Sequence, residues 1–261
     1  VLYCESVSNP LLEVADIKGL AALAKKYSLT LVVDNTFSPL SISPIQLGAD
    51  VVVHSLTKFI NGSSDAVGGV VCGSQEFIDQ LRSVIDGACM LLGSTMDSLR
   101  ASSILKNLRT LHIRMKQHSY NASYLANKFE ADGVKTVYPG LESHPSHPLF
   151  TTMMNTEYGY GGMLTIDVGS LEKANALMEA MQQNNVGYLA VSLGFYKTLF
   201  SAPGTSTSSE IPLEEQVEMG LADGLIRFSI GLDNNIKRTY HTIKRCMKEV
   251  GVLASSHFVS N

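Results

Sequence analysis

Val51-Val52-Val53-His54-Ser55-Leu56-Thr57-Lys58 opens on three β-branched residues and closes on two hydroxyls and an amine. A run of valines reads as a short strand buried on both faces. Working outward, Thr30 to Val33 is a second such run, ending at Asp34-Asn35. Val67 to Cys72 is a third, followed by a helix from about Gln75 to Asp86. Upstream, Val1 to Glu5 reads as a strand that stops at the turn-rich Ser8-Asn9-Pro10. Asp16 is placed to cap a helix reaching about Tyr27, with Leu20, Leu23 and Ala24 on one face. Strands apolar throughout and separated by helices predict an α/β fold with a mostly parallel sheet covered on both faces. In such sheets ligands sit at the carboxyl ends of the strands. Asp34 and Ser55 lie at those ends.

A helical pattern free of proline covers roughly Thr95 to Ala131 and is able to link two domains. Beyond it the character changes to α+β. A strand is expected at Val134 to Tyr138, another at Gly162 to Val168, a helix at Leu171 to Asn184 and an apolar stretch at Val186 to Leu193. A Ser/Thr-rich loop at Gly204 to Ser209, a strand at Leu225 to Gly231 and a final helix complete the chain.

Composition narrows the function classes. Of 261 residues 45% are apolar and 17% charged, ordinary for a soluble globular protein. A net charge of −4 gives no reason to expect nucleic acid as a partner. No apolar run reaches the roughly 18 residues needed to span a bilayer, and no basic segment leads into an apolar one at the N-terminus. Cys4, Cys72, Cys89 and Cys246 are scattered without a C-x-x-C pair, so reduced thiols and a cytoplasmic location are expected. No metal site is expected either: His144 and His147, around Pro145, read as a solvated turn rather than a ligand pair.

Lys58 carries the chemistry. A lysine after a strand is ordinarily a solvated one. Here Ser55 and Thr57 precede it at minus three and minus one, so two hydroxyls can donate to phosphate oxygens while the amine forms an imine with an aldehyde. Asp34, ending the neighbouring strand, can face a pyridinium nitrogen and keep it protonated; the bland alternative is an Asx residue that merely terminates a strand.

These residues carry a resemblance. Asp34-Asn35-Thr36-Phe37 followed by Gly48-Ala49-Asp50 and the run to Lys58 is similar to the signature of the Cys/Met-metabolism family of pyridoxal-phosphate (PLP) enzymes. Glu5-Ser6-Val7-Ser8-Asn9-Pro10, Ala190-Val191-Ser192-Leu193-Gly194 and Gly224-Leu225-Ile226-Arg227-Phe228-Ser229-Ile230-Gly231 match it further, in order, over almost the whole chain. The resemblance implies an aspartate-aminotransferase-like (fold type I) architecture: residues 1–112 as the rear part of a PLP-binding α/β domain and 113–261 as a smaller α+β C-terminal domain. It implies pyridoxal 5'-phosphate as cofactor, with Lys58 bound to it and moving protons, Asp34 on the ring nitrogen, Ser55 and Thr57 on the phosphate and Asn9 near the phenolic oxygen. Ser192 and Arg227 would fix the substrate α-carboxylate, a task suited to the planar fork of arginine.

Within the family, Tyr158-Gly159-Tyr160-Gly161-Gly162 and the loop from Gly204 to Glu210 look most like methionine γ-lyases of plant type. Lys197 stands where cystathionine-handling members often have Glu. The implied reaction is α,γ-elimination on L-methionine, giving methanethiol, 2-oxobutyrate and ammonia; cystathionine γ-lyase, γ-synthase or O-acetylhomoserine sulfhydrylase activity is the alternative. The chain departs from the family at Phe59 and at Gly62-Ser63-Ser64-Asp65. The family also places a phosphate loop, a ring-stacking Tyr and a Tyr/Arg pair for a neighbouring site ahead of the part that Val1 resembles. Either the chain is a fragment of a longer enzyme or the missing part belongs to another chain; a working homo-oligomer, a tetramer, is expected. A catalytically dead relative kept as a subunit or scaffold is the alternative of another class. Ser55-Leu56-Thr57-Lys58 also satisfies S-x-x-K, but Ser64-Asp65-Ala66 and Lys197-Thr198-Leu199 do not supply S-D-N or K-T-G. Gly159, Gly161 and Gly162 do not make a dinucleotide loop.

Overall fold

The computed structural model describes residues 1–205 and 211–254, which fall into two compact units. The first comprises Val1–Ser8, Val14–Lys116 and Pro148–Gly161; the second comprises Asn9–Glu13, Gln117–His147 and the chain from Gly162 onward. Among the described residues no helix is long and apolar enough to cross a membrane.

The first unit is built on a four-stranded sheet, β1 (Leu2–Glu5), β2 (Leu31–Asp34), β3 (Val51–Ser55) and β4 (Gly69–Cys72), in that spatial order. The valine-rich strands pair in parallel, with Val33 opposite Val52 and Glu5 opposite Asp34. Leu31, Val33, Val51 and Val52 are buried, as β-branched and apolar residues in a covered sheet should be. Helix α1 (Ile17–Lys26) starts where the Asp16 carboxylate accepts from the Gly19 amide at 3.0 Å. Its buried residues are Ile17 and Ala24, whereas Leu23 is exposed.

Two local expectations are corrected. The third apolar run shortens to Gly69–Cys72 and lies antiparallel to β3, with Ser55 opposite Gly69. A parallel return needs a crossover of a dozen or more residues, usually helical. Here the connection from Leu56 to Gly68 is long enough but holds only the short turn Leu56–Ile60 and no crossover helix, and Leu56 N–H donates to Gly68 O at 2.9 Å. The long helix is also divided. After α2 (Gln75–Arg82) and the short α3 (Ala88–Leu92) come α4 (Ser98–Leu108) and α5 (Leu111–Ala131). Asp97 starts α4 by accepting from the Leu99 and Arg100 amides. Thr110 ends it by donating both its amide and its hydroxyl to the Asn107 carbonyl. Such side-chain bonds compete with the helical ladder. α6 (His147–Met153) contributes the buried Phe150, whose ring centroid is 5.1 Å from that of Tyr160.

The second unit holds a five-stranded sheet of β5 (Lys135–Val137), β6 (Met163–Asp167), β7 (Tyr188–Leu189), β8 (Leu199–Ser201) and β9 (Leu225–Ser229), in the order β5-β6-β9-β8-β7. All pairings are antiparallel except β7 with β8. Helix α7 (Leu171–Gln183) buries Ala174, Leu177, Met178 and Met181. A short α8 (Leu213–Glu218) precedes β9, and α9 (Ile236–Glu249) buries Ile236, Tyr240, Ile243, Cys246 and Met247. At the core Phe228 of central β9 lies between Phe129 and Phe200, with ring centroids at 6.4 and 6.0 Å. All three rings are essentially inaccessible to solvent.

Phe228→Ala should therefore cost about 3–5 kcal/mol, the range for removing a fully buried aromatic ring. Urea denaturation followed by circular dichroism measures it; a loss under about 1 kcal/mol would mean that the aromatic cluster does not hold the second unit together.

Candidate active site

The parallel pairing of β2 and β3 sets their carboxyl ends side by side in the first unit, and the predicted residues lie there. Asp34 closes β2. Its Oδ1 accepts from the Thr36 amide at 2.9 Å and its Oδ2 from the Tyr3 hydroxyl at 3.2 Å. Burial, with the Asp34 carboxylate beside it, raises the pKa of that hydroxyl. Ser55 closes β3, and its amide donates to the Thr36 hydroxyl at 2.8 Å. The Thr57 oxygen accepts from Gly68 N–H at 3.1 Å. Its own proton faces Gly68 O at 3.4 Å, too long for a good O–H···O bond, so it can turn to a better acceptor. His54, on the opposite face of β3, has its pKa lowered by burial, against the opposing pull of Asn35 and Asp34.

Lys58 is half-buried in the wide helical turn Leu56–Ile60, whose closing bond runs from Asn61 N–H to Leu56 O at 3.0 Å. Lys58 alone leaves helical geometry there, with φ −88° and ψ −131°. The next two side chains, Phe59 and Ile60, are buried and fix the turn to the unit's core. Arg114 completes the anchorage. Its guanidinium donates to the carbonyls of Phe59, Ile60 (2.7 Å) and Asn107 (3.0 Å), and burial lowers its pKa. Asn61 bonds Asp65 at 2.8 Å and accepts from Asn107 at 2.9 Å, so the segment that departs from the family's pattern is tied down. Sequence reading assigned no role to Arg114: it lies more than fifty positions from the turn it grips, and nothing in its helical surroundings singles it out.

The second unit brings together Asn9, Ser192 and Arg227. Arg227 is 2% exposed in the middle of β9. It donates from Nη1 to Asn9 Oδ1 at 2.8 Å and from Nη2 to the carbonyls of Val191 (2.9 Å) and Ser192 (3.3 Å). Every one of these acceptors is neutral, and no ion pair involves Arg227 among the described residues. Burial pulls its pKa down to about 10, which still leaves it charged at neutral pH. Glu210, the acidic partner a purely structural arginine could have used, lies outside the described residues, as does most of the loop from Gly204 to Glu210. Lys197 donates to the Tyr188 hydroxyl at 3.1 Å, which raises its pKa.

Residues 1–238 match the family model described as Cys/Met metabolism PLP-dependent enzyme. Methionine gamma-lyase of Arabidopsis thaliana is 46% identical over 241 residues, 92% of this chain and 55% of that protein. Cystathionine gamma-lyase of Bacillus subtilis is 38% identical over 237 residues, 89% of this chain and 60% of that protein. Among solved structures, cystathionine gamma synthase from Xanthomonas oryzae pv. oryzae, in complex with aminoacrylate and cysteine, superposes with a TM-score of 0.86 at 32% identity. That match covers 95% of this chain and 63% of the other. The chain thus has the α/β architecture of the fold type I PLP enzymes, and it spans 55–60% of the length of these curated relatives.

Arg114→Ala should loosen the lysine turn. Loss of a charged donor shared by three carbonyls should cost about 2 kcal/mol, and amide exchange at Asn61 and Gly62 should speed up. Arg114→Lys should recover under half of this, because a point charge cannot reach three acceptors. Unchanged exchange in Arg114→Ala would remove the residue from the support of Lys58.

Proposed function

The chain belongs to the family of Cys/Met metabolism PLP-dependent enzymes, and from that premise we propose that it is part of a carbon–sulfur lyase. Its reaction is α,γ-elimination on L-methionine, which with one water gives methanethiol, 2-oxobutyrate and ammonia. The observation that carries the reading is the grouping of an amine, a carboxylate and two hydroxyls at the ends of β2 and β3. That donor set fits pyridoxal phosphate part for part: Lys58 for the aldehyde, Asp34 for the ring nitrogen, Ser55 and Thr57 for the phosphate. The Thr57 oxygen is held by Gly68 N–H while its proton has only a long contact, the state a phosphate donor needs.

When bound, the cofactor supplies an aldehyde for the substrate amine and an electron-withdrawing ring that acidifies the substrate's Cα proton. The rest falls to the protein. The Asp34 carboxylate keeps a proton on the ring nitrogen. The Lys58 amine would hold the cofactor's aldehyde and would be the base that accepts the substrate's Cα proton. Its anchored turn fixes the backbone from which Nζ reaches, and the flexible stem would let one amine serve neighbouring carbons in turn. Arg227 takes the substrate α-carboxylate; its buried charge, balanced among the described residues only by neutral acceptors, is what an anionic ligand would complement. Asn9 accepts from Arg227 through Oδ1, and its amide NH2 is the group that would donate to the cofactor's phenolic oxygen.

The likeness to a plant methionine gamma-lyase at 46% identity supports methionine over cystathionine. The tethering of Lys197 to Tyr188, at a place where an acidic residue would suit a second amino group, points the same way. Cleavage or synthesis of cystathionine, and sulfhydrylation of O-acetylhomoserine, draw on the same residues and remain the second reading, favoured by the cystathionine gamma-lyases at 38% identity. The working protein is proposed to be a cytoplasmic homo-oligomer, a tetramer.

Borohydride reduction of the PLP-loaded protein followed by peptide mapping should place the pyridoxyl group on Lys58. A label on Lys106 or Lys116 instead would sink the assignment. Product analysis with methionine, cystathionine and O-acetylhomoserine, on protein of full length, should give methanethiol and 2-oxobutyrate from methionine as the fastest reaction.

Arg227→Lys should raise KM for methionine at least tenfold, since a two-pronged contact with a carboxylate is lost. It should leave kcat less affected and the melting temperature within a few degrees. A near-normal KM together with early melting would make Arg227 a structural residue and not a carboxylate clamp.

A further inference from the structure

We infer that Thr36 is a positioning residue that sets the phosphate end of the cofactor site through Ser55, an inference that rests on the reading of Ser55 and Asp34 given above. The last backbone rung between β2 and β3 is Asn35 N–H donating to Val53 O at 2.9 Å. In a parallel ladder the next donor on β3 is the amide two residues on, that of Ser55. The chain leaves β2 at this point, and the Thr36 hydroxyl accepts that amide at 2.8 Å in place of a carbonyl. The same residue uses its own amide to orient Asp34 Oδ1 at 2.9 Å.

On the other side of the segment, Gly68 holds Leu56 N–H at 2.9 Å through its carbonyl and the Thr57 oxygen at 3.1 Å through its amide. Ser55 to Thr57 is thus gripped from β2 by Thr36 and from the β4 side by Gly68. Thr57 needs no help from Thr36, but Ser55 has its backbone fixed by nothing else on the β2 side once the ladder has ended. Without the Thr36 hydroxyl, an amide would be left partnerless at a half-buried strand end, and the Ser55 side chain would lose its fixed direction.

The side chain and the amide of Thr36 do different jobs, so they can be separated. Thr36→Val keeps the shape and the Asp34 contact but removes the acceptor for Ser55. Thr36→Ser keeps both. Affinities for pyridoxal phosphate and for unphosphorylated pyridoxal, measured by equilibrium dialysis, report whether the phosphate end is the part affected. Thr36→Val should weaken pyridoxal phosphate about tenfold, the equivalent of one lost hydrogen bond, and leave pyridoxal unchanged, so that the preference for the phosphorylated form narrows. Thr36→Ser should restore the preference. Amide exchange at Ser55 in the cofactor-free protein should speed up about tenfold in Thr36→Val and return in Thr36→Ser.

A preference unchanged in Thr36→Val, with only the melting temperature lowered, would overturn the inference and leave Thr36 an ordinary strand cap. Should Thr36→Val not fold, Thr36→Ala measured in the same way decides it. Wild-type protein that binds the two compounds equally would remove Ser55 and Thr57 from the phosphate site and so overturn the functional reading itself. In that event Ser55 exchange still tells whether Thr36 holds the strand end.

Discussion

The register between β2 and β3 is the constraint on which the candidate site depends. Parallel neighbours end at the same edge, and with Asp34 opposite Val53 the chain delivers a carboxylate and, two residues later on the next strand, a hydroxyl to one place. A slip of one residue in β3 would turn Ser55 to the other face of the sheet and away from Asp34. The buried side chains Leu31, Val33, Val51 and Val52 are packed in the present register and would all have to repack after such a slip. Site geometry and core packing are thus one choice of register, made by the hydrophobic effect.

Much of this was legible beforehand, for identifiable reasons. The runs of valine and leucine marked β2 and β3, since few alternatives accept a continuous apolar β-branched run. Lys58 stood out by the hydroxyls of Ser55 and Thr57 ahead of it at a strand's end, and Arg227 as a charged residue within an apolar strand. Direction was harder to read: the third strand has the same composition whether it returns parallel or antiparallel, and only the Leu56–Gly68 closure decides. The division of the long helix turned on Thr110, whose side-chain bond to the Asn107 carbonyl outweighs a pattern otherwise continuous in period. Arg114 and Thr36 were invisible as supports for a different reason. Their partners are backbone carbonyls and amides, which every residue possesses, so no particular side chain elsewhere in the sequence signals the contact.

Arg227 shows a cost carried within the fold. A guanidinium at the centre of a sheet, between Thr165 on β6 and Ser201 on β8, could have been a leucine in packing terms. Burial lowers its pKa to about 10, because taking the guanidinium out of water disfavours its charged form. Asn9, Val191 and Ser192 hold its fork in one orientation without neutralising it. Among the described residues the charge is held in place by neutral acceptors alone.

The wide turn that carries Lys58 limits how this protein can change over generations. Its closing bond spans five residues, from Asn61 back to Leu56, with the lysine as the single non-helical position inside it. Loss of one residue from this segment would restore an ordinary helical turn and swing each later side chain by roughly 100°. Phe59 and Ile60 would then leave the core while Lys58 rotated away from the strand ends. Side chains along the segment are open to substitution, as Phe59 and Ser63 illustrate against the family's pattern, but its length is not. Insertions and deletions here should be purged in descendants long before point changes are.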